Sequence, residues 1–163
     1  MRIRTRAILA LTLGTATLTS VPPASATSGT SLARFSNWAT QECITTNPDH
    51  HLFSRYCYVA GDYKYAYQQW YLQPSMWAGA WQLSNRKTGR CLELVDGDNG
   101  QDNVVTAPCE PGNPLQLWIV ENQSIVSAVH KAILYDHGAT TDIRATWGGS
   151  VNPPAYGRWS QIS

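Results

Sequence analysis

The sequence predicts an all-β domain built from three copies of one strand-rich unit, and three observations carry that expectation. Apolar residues come in short runs, such as Cys91-Leu92-Glu93-Leu94-Val95 and Gln116-Leu117-Trp118-Ile119-Val120, with little helical periodicity. Turn-forming stretches separate the runs, among them Asp96-Gly97-Asp98-Asn99-Gly100 and Glu110-Pro111-Gly112-Asn113-Pro114. A cysteine-to-tryptophan spacing also recurs: Cys91 to Trp118 is 27 positions, and so is Cys43 to Trp70.

Residues 1–26 read as a secretory signal peptide. Arg2, Arg4 and Arg6 form a basic start, Ala7 to Leu18 is a short apolar stretch, and Ala24-Ser25-Ala26 has the small-x-small form of a cleavage site. The apolar stretch is too short to cross a bilayer, so residues 27–163 are expected to be a secreted, soluble domain.

The three units run over about 33–76, 77–121 and 122–163. The first ends Gln68-Gln69-Trp70 and the second Gln116-Leu117-Trp118, at an offset of 48. Counting 27 back from Trp159 lands on Ala132, at an offset of 41 from Cys91, with Ala where the cysteine was. Phe35-Ser36-Asn37, Leu83-Ser84-Asn85 and Ile125-Val126-Ser127 each precede the anchor by a similar distance. A unit of this length cannot bury its own apolar face, so three copies should share one core around an axis. Trp70, Trp118 and Trp159 are then expected in that core. Three units are too few for a propeller.

Beyond the signal peptide the chain keeps nine Lys and Arg against eleven Asp and Glu, a formal charge of −2. No basic cluster remains to neutralise a row of phosphates, which argues against nucleic acid and anionic membrane as partners. Cys43, Cys57, Cys91 and Cys109 all lie beyond the signal peptide, an even count that predicts two disulfides. Three connectivities are open. Nearest-neighbour pairing would close loops of about 15 to 19 residues, worth about 3 kcal/mol each in the chain-entropy model. Neither pair has the C-x-x-C spacing of zinc sites. Pro48-Asp49-His50-His51 sets two imidazoles beside a carboxylate, but adjacent residues on a strand face opposite ways, which argues against one shared metal. Asp136-His137 reads as a solvated loop pair, and neither G-x-S-x-G nor H-E-x-x-H occurs. The expectation is a binding protein with no catalytic residues, metal or cofactor.

A Cys-Leu-acid strand followed by a terminal Gln-x-Trp resembles the unit of the ricin-type β-trefoil lectins, over roughly residues 33 to 163. The best match is Asn85 to Glu93 followed by Gln116-Leu117-Trp118; the third unit ends Gly157-Arg158-Trp159 and lacks both cysteines. The resemblance implies a twelve-stranded β-trefoil with pseudo-threefold symmetry. It also implies a disulfide within a unit, hence Cys91–Cys109 and, by analogy, Cys43–Cys57. Each unit of that family can hold a shallow sugar pocket: a carboxylate two residues after the first cysteine, a ring just before the second, and an Asn beside the Gln. This chain departs from that set in all three units. The second has Glu93, Ala107 and Leu115 at these positions; the first has Thr45, Arg55 and Tyr67. The third has Leu134 for the carboxylate, with Asp136 nearby, and Trp147 for the second cysteine.

Carbohydrate is the first-choice ligand, through Glu93, Asp96, Asn113 and Gln116 of the second unit. Asn113 is read as a shifted substitute for the missing Asn, and Gln116 has a structural alternative, holding the turn that positions Trp118. Seven Trp and eight Tyr make the chain dense in rings. Tyr63, Tyr65 and Tyr67 alternate and would share one face of a strand, an aromatic surface for a sugar or a protein. Trp77 and Trp81 flank the first unit boundary. The alternative reading is a protein-binding or receptor-binding accessory subunit of a secreted toxin-like complex that has lost sugar binding.

Overall fold

The computed structural model describes residues 30–95, 101–138, 143–146 and 154–162. The expected signal peptide, Asp96 and Trp147 lie outside the described residues. Within them each unit contributes four strands. The first has β1 (Ser31–Asn37), β2 (Glu42–Thr46), β3 (Leu52–Tyr56) and β4 (Trp70–Pro74). The second has β5 (Ala80–Asn85), β6 (Cys91–Val95), β7 (Gln101–Ala107) and β8 (Leu117–Glu121). The third has β9 (Ser124–Ser127), β10 (Ile133–Asp136), β11 (Ile143–Thr146) and β12 (Trp159–Ile162).

The first and last strands of each unit make a barrel through the antiparallel pairs β12–β1, β1–β4, β4–β5, β5–β8 and β8–β9. The Trp159 amide donates to the Gln123 carbonyl (2.8 Å) and draws β12 back to the β9 side. The middle strands form three hairpins, β2–β3, β6–β7 and β10–β11, capping one end. Each hairpin joins the barrel at one register pair: Ser36 with Cys43, Ser84 with Cys91, Val126 with Ile133. This is the expected all-β trefoil, and the disulfides are Cys43–Cys57 and Cys91–Cys109.

The register pairs correct one correspondence. Ile133, not Ala132, stands where Cys91 stands. The tryptophans agree: their indole Nε1 atoms donate to Ile44, Leu92 and Leu134, in each case the residue after the hairpin anchor. The third unit has lost one residue between β10 and β12, so a count made backwards from Trp159 slips by one. Trp70, Trp118 and Trp159 are buried at the centre with Phe35, Leu83, Leu94 and Ile125. Each indole satisfies its polar atom on a backbone carbonyl of its own unit, which keeps the ring distance to the hairpin nearly constant.

The turn after the first strand repeats as well. Asn37 and Asn85 accept amides of the turn with Oδ1 and donate Nδ2 across the unit boundary, to Tyr156 and to Tyr67 and Gln69. Gln41, Gly89 and Lys131 close these turns at φ 60°, 68° and 58°. Only the second unit places a glycine there, the residue that adopts this conformation without Cβ strain.

Candidate functional site

In the second unit, Leu92 and Leu94 point into the core, so the strand alternation turns Glu93 outward. The carboxylate is gripped on one oxygen: Gln116 Nε2 donates to Oε2 at 2.6 Å and Asn113 Nδ2 at 3.4 Å. Asn113 also donates to Glu110 Oε2 (3.1 Å) and caps the short 3-10 turn Pro114–Gln116 by accepting the Leu115 amide. The structure therefore brings Glu93, Asn113 and Gln116 together. Gln116 itself is corrected as a ligand contact. It is fully buried, donates a second bond to the Pro108 carbonyl (2.7 Å), and accepts from the Glu110 amide and Gln82 Nε2 (2.9 and 2.8 Å). Two donors and two acceptor positions are all used, which leaves nothing for a sugar hydroxyl.

The first unit has the same skeleton with different chemistry. Gln68 Nε2 donates to Thr45 Oγ1 (3.0 Å) and the Tyr56 carbonyl (2.9 Å), and Oε1 accepts the Tyr58 amide (2.8 Å). Thr45 is buried and its hydroxyl donates to the Cys43 carbonyl (2.8 Å). Above it opens a concavity of about 320 Å3 lined by Phe53, Arg55, Tyr58, Tyr63, Lys64 and Tyr67 among others. Arg55 lies opposite Cys43 on β3 and is exposed. Tyr63 is 78 % exposed, and the Lys64 ammonium sits 5.3 Å from its ring centroid and 5.9 Å from that of Tyr58. Hydrogen bonding to the Tyr63 hydroxyl, then the nearby Tyr58 phenol, holds the Lys64 pKa above its ordinary value. Burial pushes the Tyr58 phenol up, with Lys64 opposing. At neutral pH Lys64 is therefore charged and Tyr58 neutral.

The strand expected for Tyr63, Tyr65 and Tyr67 is corrected: Tyr65–Gln68 is a single 3-10 turn. A period of three does not return to one face after two residues, so the rings separate. Tyr63 and Tyr67 line the concavity, whereas Tyr65 lies under the Arg34 guanidinium, 4.6 Å from ring centroid to carbon.

In the third unit the corrected register puts Tyr135, not Leu134, at the carboxylate position, and Leu134 is buried in the core. Tyr135 packs against Tyr156 (5.9 Å) and His137 (5.1 Å). Asp136 is buried and accepts from Thr40 Oγ1 (2.7 Å), Ser54 Oγ (3.0 Å) and the Gly138 amide (2.9 Å). It staples the third unit to the first. His50 and His51 stand in a turn rather than on a strand, with His50 at φ 71°, so the alternation argument does not apply; both line a cleft on the hairpin cap. Among the described residues no group of three His, Cys, Asp or Glu could hold a metal, and no helix is long and apolar enough to cross a membrane.

Sequence reasoning missed Lys64, which lines the concavity beside the Tyr63 and Tyr58 rings. The signal for Arg55 was present, a cation where the family has a ring, and was read as a loss.

A model of the family described as ricin-type beta-trefoil lectin domain-like matches residues 66–142. No curated protein matches the sequence significantly. Among solved structures the chain is similar to the designed threefold-symmetric protein ThreeFoil (16 % identity, 81 % of this chain and 98 % of that one, TM-score 0.64). It is similar to the Macrolepiota procera ricin B-like lectin in complex with lactose (17 %, 82 % and 96 %, TM-score 0.62). It is also similar to the Haemophilus ducreyi cytolethal distending toxin (14 %, 86 % and 86 %, TM-score 0.59). The fold is a β-trefoil, and the resemblance to the ricin-type lectin family read from the Gln-x-Trp units holds.

Proposed function

We propose that this chain is a secreted, non-catalytic carbohydrate-binding protein whose sugar site is the concavity of the first unit. The observation that supports it is the placement of that concavity. It lies over Thr45, Arg55 and Tyr67, the three positions at which the ricin-type unit carries its pocket, and it is lined by rings that can pack on a pyranose. The family's carbohydrate-binding character and the two disulfides favour a glycan ligand met outside the cell. Glu93 and Asn113 form a second candidate on the second unit, with Asp96 still assigned to it from the sequence.

The test is a glycan array probed with residues 27–163, oxidised and presented multivalently, because shallow single sites bind weakly. Binding competed by free sugar and lost in Tyr63→Ala supports the first-unit site. Loss in Glu93→Ala with Tyr63→Ala unchanged moves the site to the second unit.

A protein-docking role is favoured by a different surface. Met76 is 94 % and Trp77 49 % exposed beside a groove that includes Pro111 and Leu117, and toxin subunits are among the structural neighbours. An array on which folded protein binds no glycan favours this reading.

A further inference from the structure

We propose that the first-unit concavity selects an acidic sugar, one whose ring bears a carboxylate or a sulfate ester; this rests on the carbohydrate-binding reading above. A neutral sugar presents hydroxyl donors that need a strong acceptor. In this concavity the acceptor position is Thr45, a buried hydroxyl that already donates to Cys43 and accepts from Gln68. What the lining offers instead is donors. Arg55 and Lys64 line it, and the ten residues that line it include no Asp or Glu. Two cations thus face one cavity on a chain whose mature charge is slightly negative.

Their setting favours a bound anion. Arg55 is exposed and, among the described residues, faces no carboxylate, so its planar fork is available for a bidentate contact. Lys64 is held near Tyr63 and Tyr58 by ring contacts rather than by an acid. Its backbone amide is fixed on Asp62 Oδ1 (2.8 Å), which orders the loop that carries it. Rings that accept C–H groups next to cations that accept an anion are complementary to a pyranose with an acidic substituent, and to neither a neutral sugar nor a bare anion alone. The charge also separates this unit from the second. The corresponding surface of the second unit holds Glu93 and Glu110 bridged by Asn113.

The experiment compares one disaccharide core in four forms: neutral, sialylated, glucuronate-bearing and sulfated. Each is titrated against oxidised wild type, Arg55→Gln, Lys64→Gln and Tyr63→Ala at low and physiological salt. Both cation variants change exposed or surface side chains and should keep the wild-type melting temperature. The expected result is binding of one or more acidic forms at least about tenfold tighter than the neutral core, falling about tenfold in Arg55→Gln and weakening with salt. A preference shared by carboxylate and sulfate forms, or confined to one, identifies the source of the anion and supports the proposal either way. Neutral and acidic forms bound equally, with loss in Tyr63→Ala but not in Arg55→Gln, overturns this inference and leaves sugar binding intact. Equal competition by inorganic sulfate alone overturns it as well, because the ring would then contribute nothing. No binding of any form by folded protein overturns both readings.

Discussion

The first and second units bury the same glutamine beneath surfaces of opposite charge, Arg55 and Lys64 in one and Glu93 and Glu110 in the other. Gln68 and Gln116 each tie the start of the hairpin to the loop after the second cysteine, through the carbonyl before that cysteine and the amide after it. Between them the acceptor changes from Thr45 to Glu93, and the residue two before the second cysteine changes from Arg55 to Ala107. Core and loop geometry survive because the hydrogen bonds that define them run mostly to the backbone. The outward side chains, which the core does not hold, are where the units diverge. The surface chemistry of a unit can therefore be rewritten without touching the scaffold.

The sharpest way to break the pairing is to remove each glutamine. Gln116→Ala should destabilise by about 3 kcal/mol, since it strips four bonds and leaves a carboxylate, a carbonyl and an amide short of partners. Gln68→Ala should lose about 2 kcal/mol, because its stranded partners are neutral. Urea unfolding of the two variants, with disulfides intact, reads the difference; equal losses would mean that the Glu93 contact adds nothing.

Next in size is the aromatic contribution to binding. Tyr63→Ala should weaken glycan binding by about three- to tenfold while leaving the melting temperature within a degree or two, since the ring is mostly exposed. Leu115→Ala, the corresponding loop of the second unit, should leave affinity unchanged by titration calorimetry.

A smaller effect separates the turns. Gly89→Ala meets no atom within 4 Å, so its loss of about 1 kcal/mol comes from φ 68° alone. A loss above about 3 kcal/mol in thermal unfolding would reveal a packing role that the geometry does not contain.

The smallest effect is on pH dependence. Burial raises the Tyr58 phenol above its ordinary 10.0 in the folded protein. Its contribution is complete below pH 10.0 and is lost as pH rises through the folded value, because the unfolded phenol releases its proton first. Stability should therefore fall above about pH 10 more steeply in wild type than in Tyr58→Phe. Parallel declines would show that Tyr58 titrates alike in both states.

Much of this was legible in the chain. The Gln-x-Trp ends and the constant distance from hairpin to tryptophan mark a unit that packs on its copies. Asn37 and Asn85 recur at one distance ahead of the anchor, and the resemblance implied the pairing Cys43–Cys57 and Cys91–Cys109 that the residues alone left open. The third unit was misread by one residue because Trp159 was used as the ruler. The loss sits downstream of Ile133, and only strand pairing shows on which side of it the register holds. Tyr63, Tyr65 and Tyr67 were misread because alternation in a short segment cannot distinguish a strand from a 3-10 turn.

The sequence by itself determined the fold class, the threefold repeat and the core tryptophans. These depend on periodic burial, which every copy must satisfy on its own and which therefore leaves a pattern along the chain. The tertiary structure decided which polar groups are already engaged inside the fold. Gln116 is exhausted only when Gln82, Pro108 and Glu110 are seen around it, and Asp136 is a buried staple only once Thr40 and Ser54 arrive from another unit. Hydrogen-bond capacity is a local sum over neighbours far apart in sequence, so it becomes readable only when the chain has folded.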